Sequence, residues 1–377
     1  MGTETRFAPG GRGVRPYTNP WSVISITKTG DTGHTYDPPP GLILSMVQEA
    51  AMAPYEEKSG ISPSAVAEPE IKTKPFVSVK NVLFATDFSA SSDAALPYAA
   101  AICRRFGSTL HLFHALSEAS LLMMTGGVDY VSMGTIYDNA EDEARQRLEQ
   151  ICAPLEGIPH HTYVRHGQVW NTLAPILAEN DIDLIVLGTH GRTGLGKLLL
   201  GSVAEDILRH AACPVLTVGP KVSGHAKLLP VPEHAHDVAP PELELRQIVC
   251  ATNFGKNSNA VAESAIALAE EFHSRFTLLH VIEDYTQLGR KPGPMEEGLR
   301  SLQELIPRDS TLQYPPELLL EFGPAPERIL RVAIDREADM IVLGARSSAE
   351  VGTSHFPWSS AHYVIAQAHC PVLTIRE

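Results

Sequence analysis

Long apolar runs, basic residues and cysteines are scarce in this chain, and each shortage excludes a class of protein. The longest apolar runs have about six residues, far below the ~20 that a membrane-spanning helix requires, so no transmembrane helix is predicted. No apolar segment follows Met1–Arg6, so a signal peptide is not predicted either.

The charge balance and the cysteines exclude further classes. Asp and Glu (44) outnumber Lys and Arg (30), and the formal net charge is −14. This argues against nucleic-acid binding through a basic surface but leaves open a local pocket for one nucleotide. The five cysteines are scattered, odd in number and without C-x-x-C spacing, so neither a disulfide framework nor a zinc site is predicted. We expect reduced, mostly buried thiols in a cytoplasmic protein.

The chain does have enough apolar residues (44%) and enough length (377 residues) for two or three domains with sizeable cores. Residues 1–76 are the exception, because Pro, Gly, Ser and Thr recur there and only Leu42–Glu57 has the pattern of a short helix. This segment is predicted to be a disordered N-terminal extension, with a docking segment for a partner as the alternative.

From Val77 onward, short apolar runs alternate with helical patterns in the order β-α-β-α-β-α-β-α-β. This order predicts an α/β fold with a doubly wound, mostly parallel sheet, in which ligands bind at the carboxyl ends of the strands. Within it, Leu116–Asn139 is expected to be a mobile loop, and a charged helix is predicted over Ala140–Cys152.

The same pattern occurs twice along the chain. The segment NVLFATDF at residues 81–88 is matched by QIVCATNF at 247–254, and DLIVLG at 183–188 by DMIVLG at 339–344. The offsets of 166 and 156 residues far exceed a solenoid period and indicate a tandem duplication of one domain. We predict copy one at residues 77–220, a Pro- and His-containing linker at 221–243, and copy two at 244–377.

One stretch of copy one, which we name the glycine loop (residues 188–202), has the residues to hold a phosphate. A strand ends in Gly188-Thr-His-Gly191, and after nine residues Gly201-Ser202 opens a helical pattern. The missing Cβ of Gly188 is expected to let the backbone approach a ligand, and Gly191 permits a turn whose N–H groups converge on an anion. Ser202 is expected to cap the helix, where it and Gly201 direct N–H groups at phosphate. Residues 191–198 nearly match a P-loop, but Leu198 lacks the hydroxyl that holds Mg²⁺, so a P-loop NTPase is rejected.

The repeat unit, the G-x-x-G-x9-G-S spacing, Thr86-Asp87 after the first strand and the closing Cys-Pro-Val strands together resemble the universal stress protein family, in a tandem two-domain form. The resemblance implies two doubly wound, Rossmann-like domains similar to adenine nucleotide alpha hydrolases. It implies that they pair through their last strands (214–218 and 371–375) as an intramolecular pseudo-dimer without exposed edges there. It leaves open whether two chains pair again.

The resemblance also implies a ligand for copy one, namely ATP or another adenine nucleotide, with any Mg²⁺ held mainly by the phosphates. Asp87 would hydrogen-bond the ribose, while Ala85 and Ala115 would line the adenine slot. For Asp87 the alternative role is an Asx turn or helix cap, and for His190 and Arg192 it is a solvated loop. No catalytic residue or metal ligand is predicted. The residues expected to bind the nucleotide are Ala85, Thr86, Asp87, Ala115, Leu187, Gly188, His190, Gly191, Arg192, Gly201, Ser202, Val203 and Ala204.

Copy two departs from this pattern. Asn253 replaces Asp87, Ser347 replaces the second glycine, and Trp358 falls where Gly201 does. Copy two is therefore not expected to bind ATP in the same way, and its expected role is that of a structural partner.

Three functions remain open at this point. The preferred one is an adenine-nucleotide-binding sensor or regulator of a stress response, because no paired carboxylates, activated nucleophile or metal cluster accompanies the glycine loop. The second is a slow ATPase or self-phosphorylating protein, and the third is an interaction module that binds no nucleotide.

Overall fold

The computed structural model describes residues 23–26, 78–116, 130–189, 200–222, 243–283, 293–345 and 360–376, and only the backbone of 23–26, 130–136 and 294. Within these ranges lie eleven strands and eight helices. The strands are β1 (Val23–Ile26), β2 (Asn81–Ala85), β3 (Thr109–Leu116), β4 (His160–His166), β5 (Leu184–Gly188), β6 (Val215–Val218), β7 (Gln247–Thr252), β8 (Arg275–Ile282), β9 (Glu317–Phe322), β10 (Met340–Ala345) and β11 (Val372–Arg376). The helices are α1 (Ala90–Phe106), α2 (Tyr130–Cys152), α3 (Val169–Glu179), α4 (Ser202–His210), α5 (Ser258–Glu271), α6 (Pro294–Glu304), α7 (Ala325–Asp335) and α8 (Ser360–Gln367).

All the described strands form one sheet in the order β1-β9-β8-β7-β10-β11-β6-β5-β2-β3-β4. Copy one contributes β4-β3-β2-β5-β6 and copy two contributes β9-β8-β7-β10-β11, each a set of five parallel strands. Numbered from the first strand of each copy, the order is 3-2-1-4-5, which matches the first five strands of the Rossmann order, so the predicted fold class is confirmed. The order reverses between β2 and β5 in copy one, and the carboxyl ends of these strands mark the crevice where such a sheet binds ligands.

Helices cover both faces of the sheet. One core cluster contains residues of α1, α2, α5 and α6, and the other contains residues of α3, α4, α7 and α8. Successive residues of β2 enter opposite clusters, Phe84 the first and Leu83 and Ala85 the second, because side chains alternate along a strand. Burial on both faces explains the apolar runs of the inner strands, whereas the outer strand β4 is polar and mostly exposed.

The two copies join through their last strands. β6 and β11 pair antiparallel, with Leu216 opposite Leu373, two residues that occupy equivalent positions at an offset of 157. Thr217 donates its hydroxyl to the Val372 carbonyl at 3.0 Å, and the equivalent Thr374 donates to Val215 at 3.1 Å. Reciprocal contacts between equivalent residues are the signature of a two-fold interface, so the seam is a pseudo-dimer within one chain.

The helix ends beside the seam repeat this symmetry. Phe106 at the end of α1 meets its equivalent, Phe272, edge to face with ring centroids 6.2 Å apart. Arg105 forms an ion pair with its equivalent, Glu271, at 2.9 Å. Contacts of a residue with its own counterpart place the pseudo-two-fold axis between α1 and α5.

Residues 1–76 contain one described element, β1, which the sequence analysis did not predict. β1 pairs in parallel with β9 of copy two, Val23 opposite Glu317 and Ile26 opposite Leu320. The predicted helix at 42–57 lies outside the described residues, and disorder of the rest of the extension stays a prediction.

The predicted loop at 116–139 is corrected in part. Helix α2 begins at Tyr130, ten residues before the predicted start at Ala140, and β3 extends to Leu116. The long first half of α2 was missed because its Gly and Ser residues weaken the helical pattern. Residues 117–129 lie outside the residues that the structure describes.

Candidate nucleotide site

The carboxyl ends of β2, β3 and β5 bring predicted ligand residues from three segments to one edge of the sheet. β2 pairs with β5, with Ala85 opposite Leu187, and on its other side with β3. Asp87 follows β2 directly, Gly188 ends β5, and Ala115 lies at the same edge of β3. This edge is the topological switch point of copy one.

Asp87 begins a tight turn into α1. Its Oδ1 accepts hydrogen bonds from the Ser89 N–H (3.0 Å) and from the Ser92 hydroxyl (2.6 Å). Phe88 adopts a left-handed φ of 59°, which reverses the chain, and Ser89 is the N-cap of the helix. The alternative role, an Asx turn, is therefore present. An ionised carboxylate has about four acceptor positions, so this turn is compatible with a further hydrogen bond to a ligand.

Gly188 packs against the first turn of α1. A Cβ built on Gly188 would lie 2.5 Å from the Ser91 carbonyl oxygen and 2.8 Å from the Ser92 nitrogen. The missing side chain thus admits the helix against the end of β5. This packing accounts for the glycine without a ligand, and ligand approach at Gly188 stays a prediction.

The far end of the glycine loop leads into α4. The Gly201 N–H donates to the Thr189 carbonyl at 2.7 Å, so the two described ends of the loop meet. This N–H is therefore bonded within the protein, and the prediction that it is directed at a phosphate is wrong. Gly201 is the N-cap and Ser202 the first helical residue, so the prediction that Ser202 caps the helix is wrong. The cap has no side-chain hydrogen bond. N–H groups at such a helix start are suited to an anion, so this end of the loop fits a phosphate.

The apolar residues predicted to contact the ligand divide into two groups. Ala85, Leu187 and Ala204 are buried in the cluster that packs on α3 and α4. Ala115 is only partly buried beside that cluster, and Val203 is 36% exposed. The first group belongs to the core, and its contact with a ligand stays a prediction, whereas the second has surface that a ligand could contact.

Thr86 is buried, and its polar groups are bonded within the protein. Its N–H donates to Phe113 (2.9 Å), its hydroxyl accepts from the Phe88 N–H (2.9 Å), and its carbonyl accepts from His114 Nδ1 (2.7 Å). The ring centroids of Phe88 and His114 lie 4.3 Å apart, with the ring planes tilted by 34°. These contacts give Thr86 a structural role in the turn, and its contact with a nucleotide stays a prediction.

Several predicted residues lie outside the described part of the chain. They are His190, Gly191 and Arg192 of the glycine loop, and Ser347 and Trp358 of copy two. Their proposed roles stay predictions.

Copy two builds the same turn without a carboxylate. Asn253 stands in the place of Asp87, and its Oδ1 accepts the Gly255 N–H at 2.9 Å. Phe254 has a φ of 57°, and its ring centroid lies 4.2 Å from that of His280, in a tilted contact like that of Phe88 with His114. An asparagine therefore also supports this turn, but it lacks the negative charge of Asp87.

A cavity of about 380 Å³, which the sequence did not predict, lies at the carboxyl ends of β3 and β4. It is lined by Leu116, Tyr137, His166 and Gly167. His166 Nε2 lies 2.7 Å from Glu141 Oε2, and hydrogen bonds from His166 and Arg145 lower the pKa of Glu141. No sequence motif marks these residues, because the sheet register and α2 bring them together. Because Tyr137 belongs to α2, the cavity lies on the face of the sheet that α2 covers.

The described residues offer no reactive thiol near the site. Cys103 and Cys250 are buried, and burial raises the pKa of each thiol to about 12. Within the described ranges there is no group of three or more His, Cys, Asp or Glu residues placed to hold a metal ion. None of the described helices has the length and apolarity to cross a bilayer.

Comparison with known proteins identifies the family. The model of the universal stress protein family matches residues 78–219 and again residues 244–376. The chain belongs to the universal stress protein family. Two matches along one chain agree with the repeated strand order, so this is a tandem universal stress protein.

Two relatives illustrate matches that cover about two fifths of the chain. Universal stress protein A homolog 1 of Coxiella burnetii is 32% identical over 140 residues, which cover 37% of this chain and 95% of the relative. A universal stress protein of Mycolicibacterium smegmatis is 31% identical over 158 residues, which cover 40% of this chain and 52% of the relative.

Among solved structures, a universal stress protein from Archaeoglobus fulgidus is similar over 79% of this chain and 98% of its own, with a TM-score of 0.57 and 20% identity. At that identity the likeness supports the fold alone. Its coverage exceeds the length of one repeat and therefore includes both copies.

Proposed function

We propose that copy one binds ATP or a related adenine nucleotide, and that the protein is a cytoplasmic sensor or regulator of a stress response. One observation carries the proposal: Asp87, Ala115, Gly188 and the start of α4 converge from four separate segments on the switch point of the sheet. Membership of the universal stress protein family supports the stress-related role.

Each part of the nucleotide has a candidate partner. The phosphates would lie at the first turn of α4, where N–H groups and the helix dipole favour an anion. The ribose would hydrogen-bond to Asp87, and the adenine would lie against Ala115. Any Mg²⁺ would be held mainly by the phosphates.

The proposal is asymmetric between the copies. Asn253 lacks the negative charge that makes Asp87 a strong acceptor for a ribose hydroxyl. Copy two would therefore serve as the partner that completes the sheet, through β11, and not as a second ATP site.

Titration calorimetry with ATP tests the proposal on the full chain. We expect one ATP per chain. Asp87→Asn should weaken binding by roughly tenfold or more, because a hydrogen bond to a charged group contributes about 1.5–3 kcal/mol. This variant should keep the turn, since Asn253 supports the same turn in copy two.

The matched control is Asn253→Asp, which restores the carboxylate in copy two. It should leave both the affinity and the stoichiometry unchanged, because Ser347 and Trp358 still replace the corresponding glycines of copy one. A wild-type protein that binds no adenine nucleotide would refute the proposal, and two ATP molecules per chain would refute its asymmetry.

A further inference from the structure

Ser92, at the start of α1, forms two hydrogen bonds with Asp87 that no motif in the sequence predicts. Its hydroxyl donates to Asp87 Oδ1 at 2.6 Å and accepts from the Asp87 N–H at 3.3 Å. Its Oγ also lies 3.2 Å from the Ser89 Oγ. A hydroxyl has one proton and two lone pairs. With its proton on Asp87, Ser92 accepts from Ser89, and all three positions are used within the protein.

Burial and packing against β5 also restrain Ser92. Only 4% of its surface is exposed, so solvent does not compete for its hydrogen bonds. Its backbone is pressed against β5, because the position of a Gly188 Cβ is only 2.8 Å from the Ser92 nitrogen. The hydroxyl is therefore fixed relative to the sheet, and so is the Asp87 carboxylate to which it donates a hydrogen bond.

The equivalent serine of copy two makes a different contact. Ser258 is buried to a similar degree, with 5% of its surface exposed, but its Oγ accepts a hydrogen bond from Thr252 Oγ1 at 3.0 Å. The position of Ser89 is occupied by Gly255, which has no hydroxyl. The serine–carboxylate contact thus belongs to the copy that carries the aspartate.

We infer that Ser92 is a positioning residue that orients the Asp87 carboxylate toward the ribose hydroxyls, and so sets the preference for ribonucleotides over nucleotides that lack those hydroxyls. The inference rests on the proposed nucleotide site. Ser92 acts through Asp87 and does not touch the ligand, because its own hydrogen-bonding positions are filled.

The test compares the affinities for ATP and 2′,3′-dideoxy-ATP by calorimetry on the full chain. Wild type should prefer ATP. Ser92→Ala should reduce that preference by about fivefold, since a carboxylate released from one of its hydrogen bonds aligns less well with the ligand. Loss of stability alone would weaken both nucleotides equally and leave their ratio unchanged.

Ser258→Ala is the matched control, because it removes an equally buried, hydrogen-bonded hydroxyl at the same position of copy two. It should leave the ratio as in wild type. Should Ser92→Ala fail to fold, Ser92→Cys keeps the size of the side chain with a weaker donor and should shift the ratio in the same direction.

The outcomes separate the inference from the proposed function. If wild type binds neither nucleotide, the proposed function fails. If wild type binds both equally, or if Ser92→Ala binds ATP but keeps the wild-type ratio, the inference about Ser92 is overturned while the nucleotide site stands.

Discussion

At the scale of single residues, Gly188 illustrates how one amino acid can satisfy two requirements. Its place in the glycine loop suggests room for a ligand, yet the nearest atoms to its missing side chain belong to the backbone of Ser91 and Ser92. Because Ser92 holds Asp87, the packing at Gly188 also determines where the carboxylate lies.

Gly188→Ala should therefore destabilise the protein, because the added Cβ meets backbone atoms that cannot move aside independently. We expect a loss of about 1–3 kcal/mol in the free energy of unfolding, measured by urea denaturation. The control is Gly298→Ala in α6, where the nearest atom is the flexible Leu320 Cδ2 at 3.1 Å and alanine favours the helix. A loss at Gly188 no larger than that at Gly298 would contradict this account.

What the sequence reveals about the site depends on whether a residue belongs to a recognisable motif. Gly201 was found through the G-x-x-G-x9-G-S spacing, and Asp87 through the family resemblance. Ser92 was missed because its contact with Asp87 depends on the left-handed turn at Phe88, which brings residues five apart together. A left-handed phenylalanine is not expected from sequence, since this conformation disfavours bulky side chains.

At the scale of secondary-structure elements, the strands of the two copies were predictable because their apolar runs are buried on both faces. β1 was not, because Val-Ile-Ser-Ile lies among Gly and Pro residues and its partner, β9, follows almost 300 residues later. Such a short strand is recognisable only in the structure, where it covers the edge of β9.

Deleting residues 1–30 should expose the β9 edge. The backbone N–H groups of Leu318–Leu320 that face β1 would lose their partners and exchange with solvent. We expect faster amide hydrogen exchange in β9, measured on the full chain and on the truncated chain. The outer strand of copy one, β4, provides the internal control and should exchange as before. Unchanged exchange in β9 would show that β1 does not protect this edge.

At the scale of the whole molecule, the two copies are symmetric where they meet but differ at particular residues. The seam pairs Leu216 with Leu373 and repeats each threonine contact in both directions. The symmetry is broken at the end of β11, where Arg376 of copy two occupies the position of Gly219 in copy one. This arginine reaches across to α4, the helix that carries the proposed phosphate site.

Arg376 binds the C-terminal end of α4 through Nη1, which donates to the carbonyls of His210 (2.8 Å) and Ala211 (3.3 Å). A cation at this end satisfies carbonyls left without helical partners and complements the helix dipole. Arg376→Ala should lower the free energy of unfolding by about 1–2 kcal/mol and accelerate amide exchange in the last turn of α4.

Arg331→Ala is the comparison for Arg376→Ala, since it removes an arginine whose only described partner is Asp335 on the same helix, with side chains 60% and 39% exposed. Such surface pairs contribute little, so its effect should stay within about 0.5 kcal/mol. If Arg376→Ala changed stability no more than Arg331→Ala, copy two would not be holding α4. If it does, the copy without the carboxylate stabilises the helix on which nucleotide binding in the other copy is proposed to depend.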